Sequence, residues 1–146
     1  MYIDSQEILS SAQSIAAAAG DVASTNYYDT GAAADVGIGE ELFLQISTVA
    51  AVTSGGSATV QFVLQCDDNT SFSSPKEFPL TGAVALAALT ANTVQYRGRL
   101  PIGLERYLRV VYRIGTATTT AGTATAYFTK NVQANAPIAT TVPGVK

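Results

Sequence analysis

The chain has 146 residues and a formal net charge of −3, and 47% of its residues are hydrophobic. A chain of this length forms one domain that buries about two-thirds of the surface its unfolded form exposes, so its core requires neither a metal ion nor a disulfide. The single cysteine, Cys66, and the lack of histidine exclude an intrachain disulfide and a zinc site built from cysteine and histidine.

Residues 1–24 are predicted to form either a short helix or an arm that orders against a partner. Asp4 followed by Glu7 fits a capping box, in which side chains satisfy the free N–H groups at a helix start. The helix would end at Gly20 and place a small apolar stripe on one face, consisting of Ile8, Leu9, Ala12, Ile15, Ala16 and Ala19. The two acids stand where a secretory signal carries basic residues, so no targeting signal is expected.

Residues 25–133 are predicted to form a mostly β body, an antiparallel jelly roll or β-sandwich with extended termini. Residues 58–66 and 107–115 alternate with the period of two that is typical of strands with one buried face. Segments near residues 45, 96 and 126 are rich in β-branched and aromatic side chains and predict further strands. The inward-facing residues of the two alternating segments are Val60, Phe62, Leu64 and Cys66, and Leu108, Val110, Tyr112 and Ile114.

The remaining segments are predicted to be connections or tail. Residues 115–122 are rich in Gly and Thr, which predicts a hairpin that joins two antiparallel neighbours. Residues 134–146 contain two prolines and no hydrophobic periodicity, which predicts an extended C-terminal tail. The longest apolar stretch, near residues 83–89, is far short of the roughly 20 residues needed to cross a bilayer, so no membrane partner is expected.

The loop of residues 66–78 contains the groups most suggestive of chemistry, yet it is predicted to be structural. Asp67, Asp68 and Asn69 could offer oxygen ligands, but the loop lacks the spacing of acids, glycine and glutamate that an EF-hand requires. Its serines lack a histidine base. Aspartate and asparagine favour turns, and Pro75 cannot lie in a central strand. We therefore expect no metal, no cofactor and no catalytic residue, and we expect the cysteine to be a small buried hydrophobic side chain.

Charge is distributed unevenly along the chain. Ten of the eleven acids lie at or before Glu77, whereas all five arginines lie in one short region. This asymmetry either neutralises itself inside one fold or pairs an acidic face of one subunit with a basic face of another, and the sequence leaves both alternatives open. Overall acidity argues against nucleic-acid binding, whereas the planar fork of arginine suits protein carboxylates. The candidate protein-interface residues are Arg97, Arg99, Arg106, Arg109 and Arg113.

Three segments carry a family resemblance that covers most of the chain. They read YYDTGAAADVGIGEELFLQIST at 27–48, DDNTSFSSPKEF at 67–78, and LPIGLERYLRVVYRIGTATTTAGTATAYFTKNVQ at 100–133. In this order they resemble the cement, or decoration, proteins of tailed bacteriophage capsids, particularly those of the Bordetella-phage type. The resemblance implies a jelly-roll body bound to the outside of the major capsid protein shell, with no enzymatic activity and no cofactor.

The expected function is therefore structural. The protein would stabilise contacts between major capsid protein subunits on the outer surface of the virion, after synthesis in the host cytoplasm. Its partners would be the major capsid protein and further copies of itself, with a dimer favoured over a trimer. The alternative is a β-sandwich module of the virion that binds carbohydrate or a receptor, which the lack of tryptophan weakens.

Overall fold

The computed structural model describes residues 4–33 and 41–130, which form two antiparallel β-sheets that enclose one hydrophobic core. Short 3-10 turns occur at Ser5–Glu7 and Leu86–Ala88. The strands are β1 (Ile8–Ser14), β2 (Gly20–Ala23), β3 (Tyr28–Asp29), β4 (Phe43–Ser54), β5 (Thr59–Asp67), β6 (Lys76–Pro79), β7 (Val84–Ala85), β8 (Thr93–Arg99), β9 (Tyr107–Gly115) and β10 (Thr119–Thr129).

The strand order is that of a jelly roll. The first sheet has the order β1-β10-β4-β8, and the second sheet has the order β2-β9-β5-β6, with β3 paired to β9 and β7 paired to β5. Leaving aside these two short strands, most successive strands lie in opposite sheets, so the chain repeatedly crosses the core, as two interlocked Greek keys require. The predicted fold class, an antiparallel β-sandwich, is confirmed.

The core is built from the inward-facing residues that the alternation predicts. In β5 and β9 all eight of those residues are buried in one cluster that also contains residues of β4 and β10. At its centre the rings of Phe62 and Tyr112 meet edge to face, with centroids 5.9 Å apart. The Tyr112 hydroxyl forms a 2.5 Å hydrogen bond with the Ser10 hydroxyl, which joins the two sheets through the core.

The predicted N-terminal helix is wrong beyond its first turn. The Asp4 carboxylate does accept a hydrogen bond from the Gln6 N–H, as a helix cap would, but the turn ends at Glu7. Residues Ile8–Ser14 pair with β10 and Gly20–Ala23 pair with β9, so this segment belongs to both sheets and is not a separate arm. Strand pairing that buries Leu9 and other apolar side chains outweighs the weak helix preference of the segment.

The predicted hairpin at residues 115–122 is also wrong. β9 pairs with β5 along one edge and with β2 and β3 along the other, while β10 lies between β1 and β4. Residues 116–118 therefore cross from the second sheet to the first. Their composition correctly indicates a tight connection, but the partners of the two strands are set by the rest of the sheets. The predicted tail, residues 134–146, lies outside the described residues.

Candidate protein-interaction site

The five candidate arginines do not form one surface. Arg97 and Arg99 lie on β8 and point outward from the first sheet, because they are opposite Gln45 and Phe43 rather than the inward Ile46 and Leu44. The other three belong to the second sheet or to the loop that leads into it. Arg109 and Arg113 share the outer face of β9, as the alternation predicts. Arg106 lies directly before this strand.

Arg113 is the centre of a charge network within its own chain. Its Nε and Nη2 atoms donate to the two carboxylate oxygens of Asp21 at 2.7 and 2.9 Å. Its Nη1 and Nη2 atoms also donate to Glu77 at 3.2 and 2.8 Å. Because Asp21 lies on β2 and Glu77 on β6, this one guanidinium connects both edge strands of the second sheet.

Two further arginines are paired with acids of the same chain. Arg106 donates from Nε and Nη2 to the two oxygens of Asp29 at 2.8 and 3.0 Å. Arg99 forms an ion pair with Glu41, which precedes β4. Acidic residues of the N-terminal half thus neutralise three of the five arginines inside one subunit, which is one of the two alternatives that the sequence leaves open.

These pairs shift the pKa values of their members. Hydrogen bonds from Arg113 lower the pKa values of Asp21 and Glu77, and hydrogen bonds from Arg106 lower that of Asp29. Conversely, Asp21 and then Glu77 raise the pKa of Arg113, so this guanidinium is fully charged at every ordinary pH. The pairs therefore stabilise the folded state wherever the carboxylates are ionised.

This network predicts a loss of stability in acid. A carboxylate whose pKa is lowered by folding contributes stability above its unfolded value, near 3.8 for Asp21 and 4.5 for Glu77, and loses it as the pH falls through the folded value. In urea titrations, the free energy of unfolding is expected to decrease below about pH 4.5. In Arg113→Gln this decrease should be shallower, and an equal pH dependence in both proteins would contradict the assignment.

Arg97 and Arg109 differ from the other arginines because neither pairs with a carboxylate of the described residues. The Nε of Arg97 donates to the Gln45 Oε1 at 3.2 Å, and the Nε of Arg109 donates to the Gln65 Oε1 at 2.8 Å. Within residues 4–33 and 41–130, their Nη atoms make no hydrogen bond or ion pair. In both residues, the part of the guanidinium fork that binds a carboxylate end-on has no hydrogen-bond partner in the part of the chain that the structure describes.

The outer face of the second sheet is a continuous polar layer over two buried valines. Val63 and Val111 are opposite one another and point away from the core, yet both are buried. The rows on either side pair a glutamine of β5 with an arginine of β9, side chains of the kind whose long stems lie along apolar surface: Gln61 with Arg113, and Gln65 with Arg109. The charged side chains of this face therefore lie in the rows next to its buried apolar residues.

An aromatic cluster continues this layer at one end of the second sheet. The guanidinium carbon of Arg109 lies 4.1 Å from the ring centroid of Phe72, and that of Arg106 lies 5.0 Å from the ring centroid of Tyr107. Tyr27 contacts both rings edge to face, with centroid distances of 6.3 and 5.6 Å. Both arginines are thus held in place by cation–π contacts within the subunit.

The first sheet presents a very different outer face. Its four strands contain no acidic residue and no lysine, and their charged residues are Arg97 and Arg99 alone. Val49 and Val94 are 39% and 44% exposed, and Ser47 of β4 is opposite Val94. We call this surface the first-sheet face, defined as the outward-pointing residues of β1, β10, β4 and β8. It is a weakly charged surface of apolar and hydroxyl side chains.

Hydrogen bonds to the side chain of Asp67 organise the loop between β5 and β6. The Asp67 carboxylate is buried and accepts hydrogen bonds from the backbone N–H groups of Asp68, Asn69 and Ser74 at 2.7, 3.4 and 3.1 Å. Burial acts to raise the pKa of Asp67, but these N–H donors outweigh it and the pKa is lowered. Cys66 is buried as expected, and its burial raises the pKa of the thiol.

Three further observations concern the described part of the chain. No group of three or more Asp, Glu, Cys or His side chains there is arranged to hold a metal ion. Nor does any helix in these residues have the length and apolar character needed to span a membrane. An open groove of about 520 Å³ lies between the Ser5–Glu7 turn and the segment from Thr25 to Asp29, and the half-exposed Tyr27 forms part of its lining.

Sequence reasoning selected the arginines but missed the residues that distinguish them. Gln45 and Gln65 accept the hydrogen bonds from the Nε atoms of Arg97 and Arg109, respectively. Nothing in the local sequence distinguishes these two glutamines from the others. Phe72 could have been found, because it is the one large apolar side chain in the polar loop of residues 67–75. The weak charge of the first-sheet face becomes visible only when the strands are grouped into their sheets.

Comparison with known proteins gives one family. The chain matches the Bbp16 family model over residues 9–128, a range that begins in β1 and ends in β10. The name of that family suggests a protein of a Bordetella phage. No curated protein matches the chain. Because the family model covers far more than half of the sequence, and with it nearly the whole sandwich, the protein belongs to the Bbp16 family.

Proposed function

We propose that this protein is a structural decoration, or cement, protein that binds the outside of a phage head and stabilises contacts between major capsid protein subunits. It acts without catalysis and without a cofactor, on the outer surface of the virion, and it forms a homo-oligomer there. Family membership and the resemblance of the three sequence segments to phage cement proteins support this proposal. The physical argument for it comes from the first-sheet face.

The first-sheet face carries the proposal because it has the character of the centre of a protein interface. The centres of protein interfaces are depleted in charged residues relative to the rest of the protein surface. Four strands without one acidic residue or lysine, with exposed Val49 and Val94, fit this description. By contrast, the second sheet uses the charge of Arg113 to connect its own edge strands, β2 and β6.

Jelly-roll geometry suits a protein that joins neighbouring subunits. Buried residues of both sheets form one cluster, so a load applied to one face is transmitted through a packed interior of low compressibility. A rigid sandwich of this kind could hold two subunits bound to its opposite faces, either shell subunits or further copies of itself, at a fixed distance from each other. This rigidity is useful in a shell that must resist the outward pressure of packaged DNA.

A carbohydrate- or receptor-binding virion module is the second candidate function. The groove beside Tyr27 favours it, because about 520 Å³ is within the usual size range of small-molecule sites and an exposed aromatic ring can stack on a sugar. The groove lies at the end of the second sheet that carries the aromatic cluster. The two candidate functions therefore use different surfaces of the molecule.

Binding to shells that lack the protein tests the proposed function. The purified protein is mixed with phage shells assembled without it, and the bound copies are measured by co-sedimentation and cryo-electron microscopy. A decoration protein is expected to saturate regular positions on the outside of the shell and to raise the temperature at which the shell disrupts. A glycan- or receptor-binding module would remain in the supernatant, and that result would reject the proposal.

A further inference from the structure

Arg97 is the one charged residue of the first-sheet face without a carboxylate partner among the described residues. Arg99, the other charged residue of this face, is paired with Glu41. The row of Arg97 continues across the sheet through Gln45 to Tyr127, both of which are buried. The exposed guanidinium of Arg97 therefore lies beside two buried side chains, and the other charged side chain of this face, that of Arg99, is already paired.

This placement has an energetic consequence for any protein that covers the face. Removing a guanidinium from water is costly unless its donors are paired, and the neighbouring acid, Glu41, is already paired with Arg99. The Gln45 Oε1 accepts only from the Nε, so both Nη atoms need acceptors from the partner. A carboxylate satisfies both at once through parallel N–H···O bonds.

We propose that Arg97 receives a carboxylate of the shell protein at the β8 edge of the first-sheet face, so that the partner surface presents one Asp or Glu there beside apolar and hydroxyl side chains. This inference rests on the proposed function and adds the face, the residue and the chemistry of the partner. Long-range attraction between the two proteins contributes little to this contact, because the bound ion pair is desolvated. The specificity comes from the match between the planar guanidinium of Arg97 and the two oxygens of the carboxylate.

Arg109 provides the matched control. Its Nε is likewise bound to a glutamine Oε1 and its Nη atoms make no hydrogen bond within the described residues, but its guanidinium also packs on the Phe72 ring, and it lies on the outer face of the opposite sheet. Replacing either arginine with glutamine removes the same charge from the protein. The two variants therefore differ in the face they alter and not in net charge.

The experiment compares the affinities of wild type, Arg97→Gln, Arg97→Lys and Arg109→Gln for shells that lack the protein. Arg97→Gln is expected to weaken binding about 30-fold or more, which corresponds to about 2 kcal/mol at 1.4 kcal/mol per tenfold. Arg97→Lys keeps the charge but not the fork and should recover only part of this loss. Arg109→Gln should bind within about threefold of wild type, as expected for a site away from the interface.

Val94→Asp tests the same face without changing Arg97. Val94 is exposed, so the variant is expected to fold with an unchanged melting temperature, yet an unpaired carboxylate within the covered surface should weaken shell binding strongly. Equal binding of wild type and Arg97→Gln would overturn the inference, and so would equal losses in Arg97→Gln and Arg109→Gln. Failure of wild type itself to bind shells would instead reject the proposed function.

Discussion

Replacing Tyr112 with alanine is expected to lower the free energy of unfolding by about 3 to 5 kcal/mol, the range for truncating a buried aromatic side chain. Tyr112 is fully buried between the two sheets, and its ring meets Phe62 edge to face. The substitution leaves a cavity in the centre of the core and removes the hydrogen bond to Ser10. Urea unfolding monitored by circular dichroism measures the effect.

Tyr112→Phe separates the hydroxyl from the ring. Burial raises the pKa of Tyr112 to about 12, so the hydroxyl stays protonated and hydrogen-bonded to Ser10 at neutral pH. Removing it leaves the buried Ser10 Oγ without a partner, which should cost about 1 to 3 kcal/mol. Adding Ser10→Ala should restore part of that loss, because no buried hydroxyl then remains unpaired. A double variant less stable than either single variant would contradict this account.

Gly122→Ala is expected to cost about 3 kcal/mol or more, since backbone strain and overpacking each contribute roughly 1 to 3 kcal/mol. Gly122 has a φ of 134°, which side chains other than glycine rarely adopt, and it lies where the pairing of β10 with β4 shifts register. An added Cβ would stand 2.9 Å from the Val52 Cγ2 and 3.0 Å from the Val52 Cα. Since one of these atoms is backbone, a side-chain movement cannot relieve the contact.

Gly82→Ala is the control for this prediction. Gly82 is exposed, its φ is not in the positive region, and an added Cβ would meet nothing within 4 Å. The melting temperature of this variant should therefore equal or slightly exceed that of wild type, because alanine reduces the freedom of the unfolded chain. If both glycine variants melted at the wild-type temperature, the register shift in β10 would not require glycine.

The local sequence predicted the central strands well because their alternation is strong. The alternating residues of β5 and β9 occupy the inward positions and are buried, as the period of two requires. Val63 and Val111 are the exception, since their parity points outward and yet they are buried. Alternation reports which side of a sheet a residue occupies, and it carries no information about long side chains on neighbouring strands that cover it.

The incorrect predictions share one physical origin. A capping signal at Asp4 and a Gly- and Thr-rich connection after β9 are local features, and both are present in the structure as a 3-10 turn and a tight crossing. The path of the chain beyond each of these features depends on hydrogen bonds to distant strands. β1 pairs with β10, a strand more than one hundred residues later in the chain. This pairing outweighs the helical preference of the β1 sequence.

The sequence by itself determined that the protein is a mostly β domain, that its charges are segregated along the chain, and that Arg109 and Arg113 share a face. Only the tertiary structure decided which arginines are already paired. The Arg113–Asp21 pair joins residues 92 positions apart, and the Arg106–Asp29 pair joins residues 77 apart. Ion pairs form between groups that the fold brings within about 4 Å, and chain separation does not predict that distance. Therefore the free fork of Arg97 could be identified only after the strands were assembled into sheets.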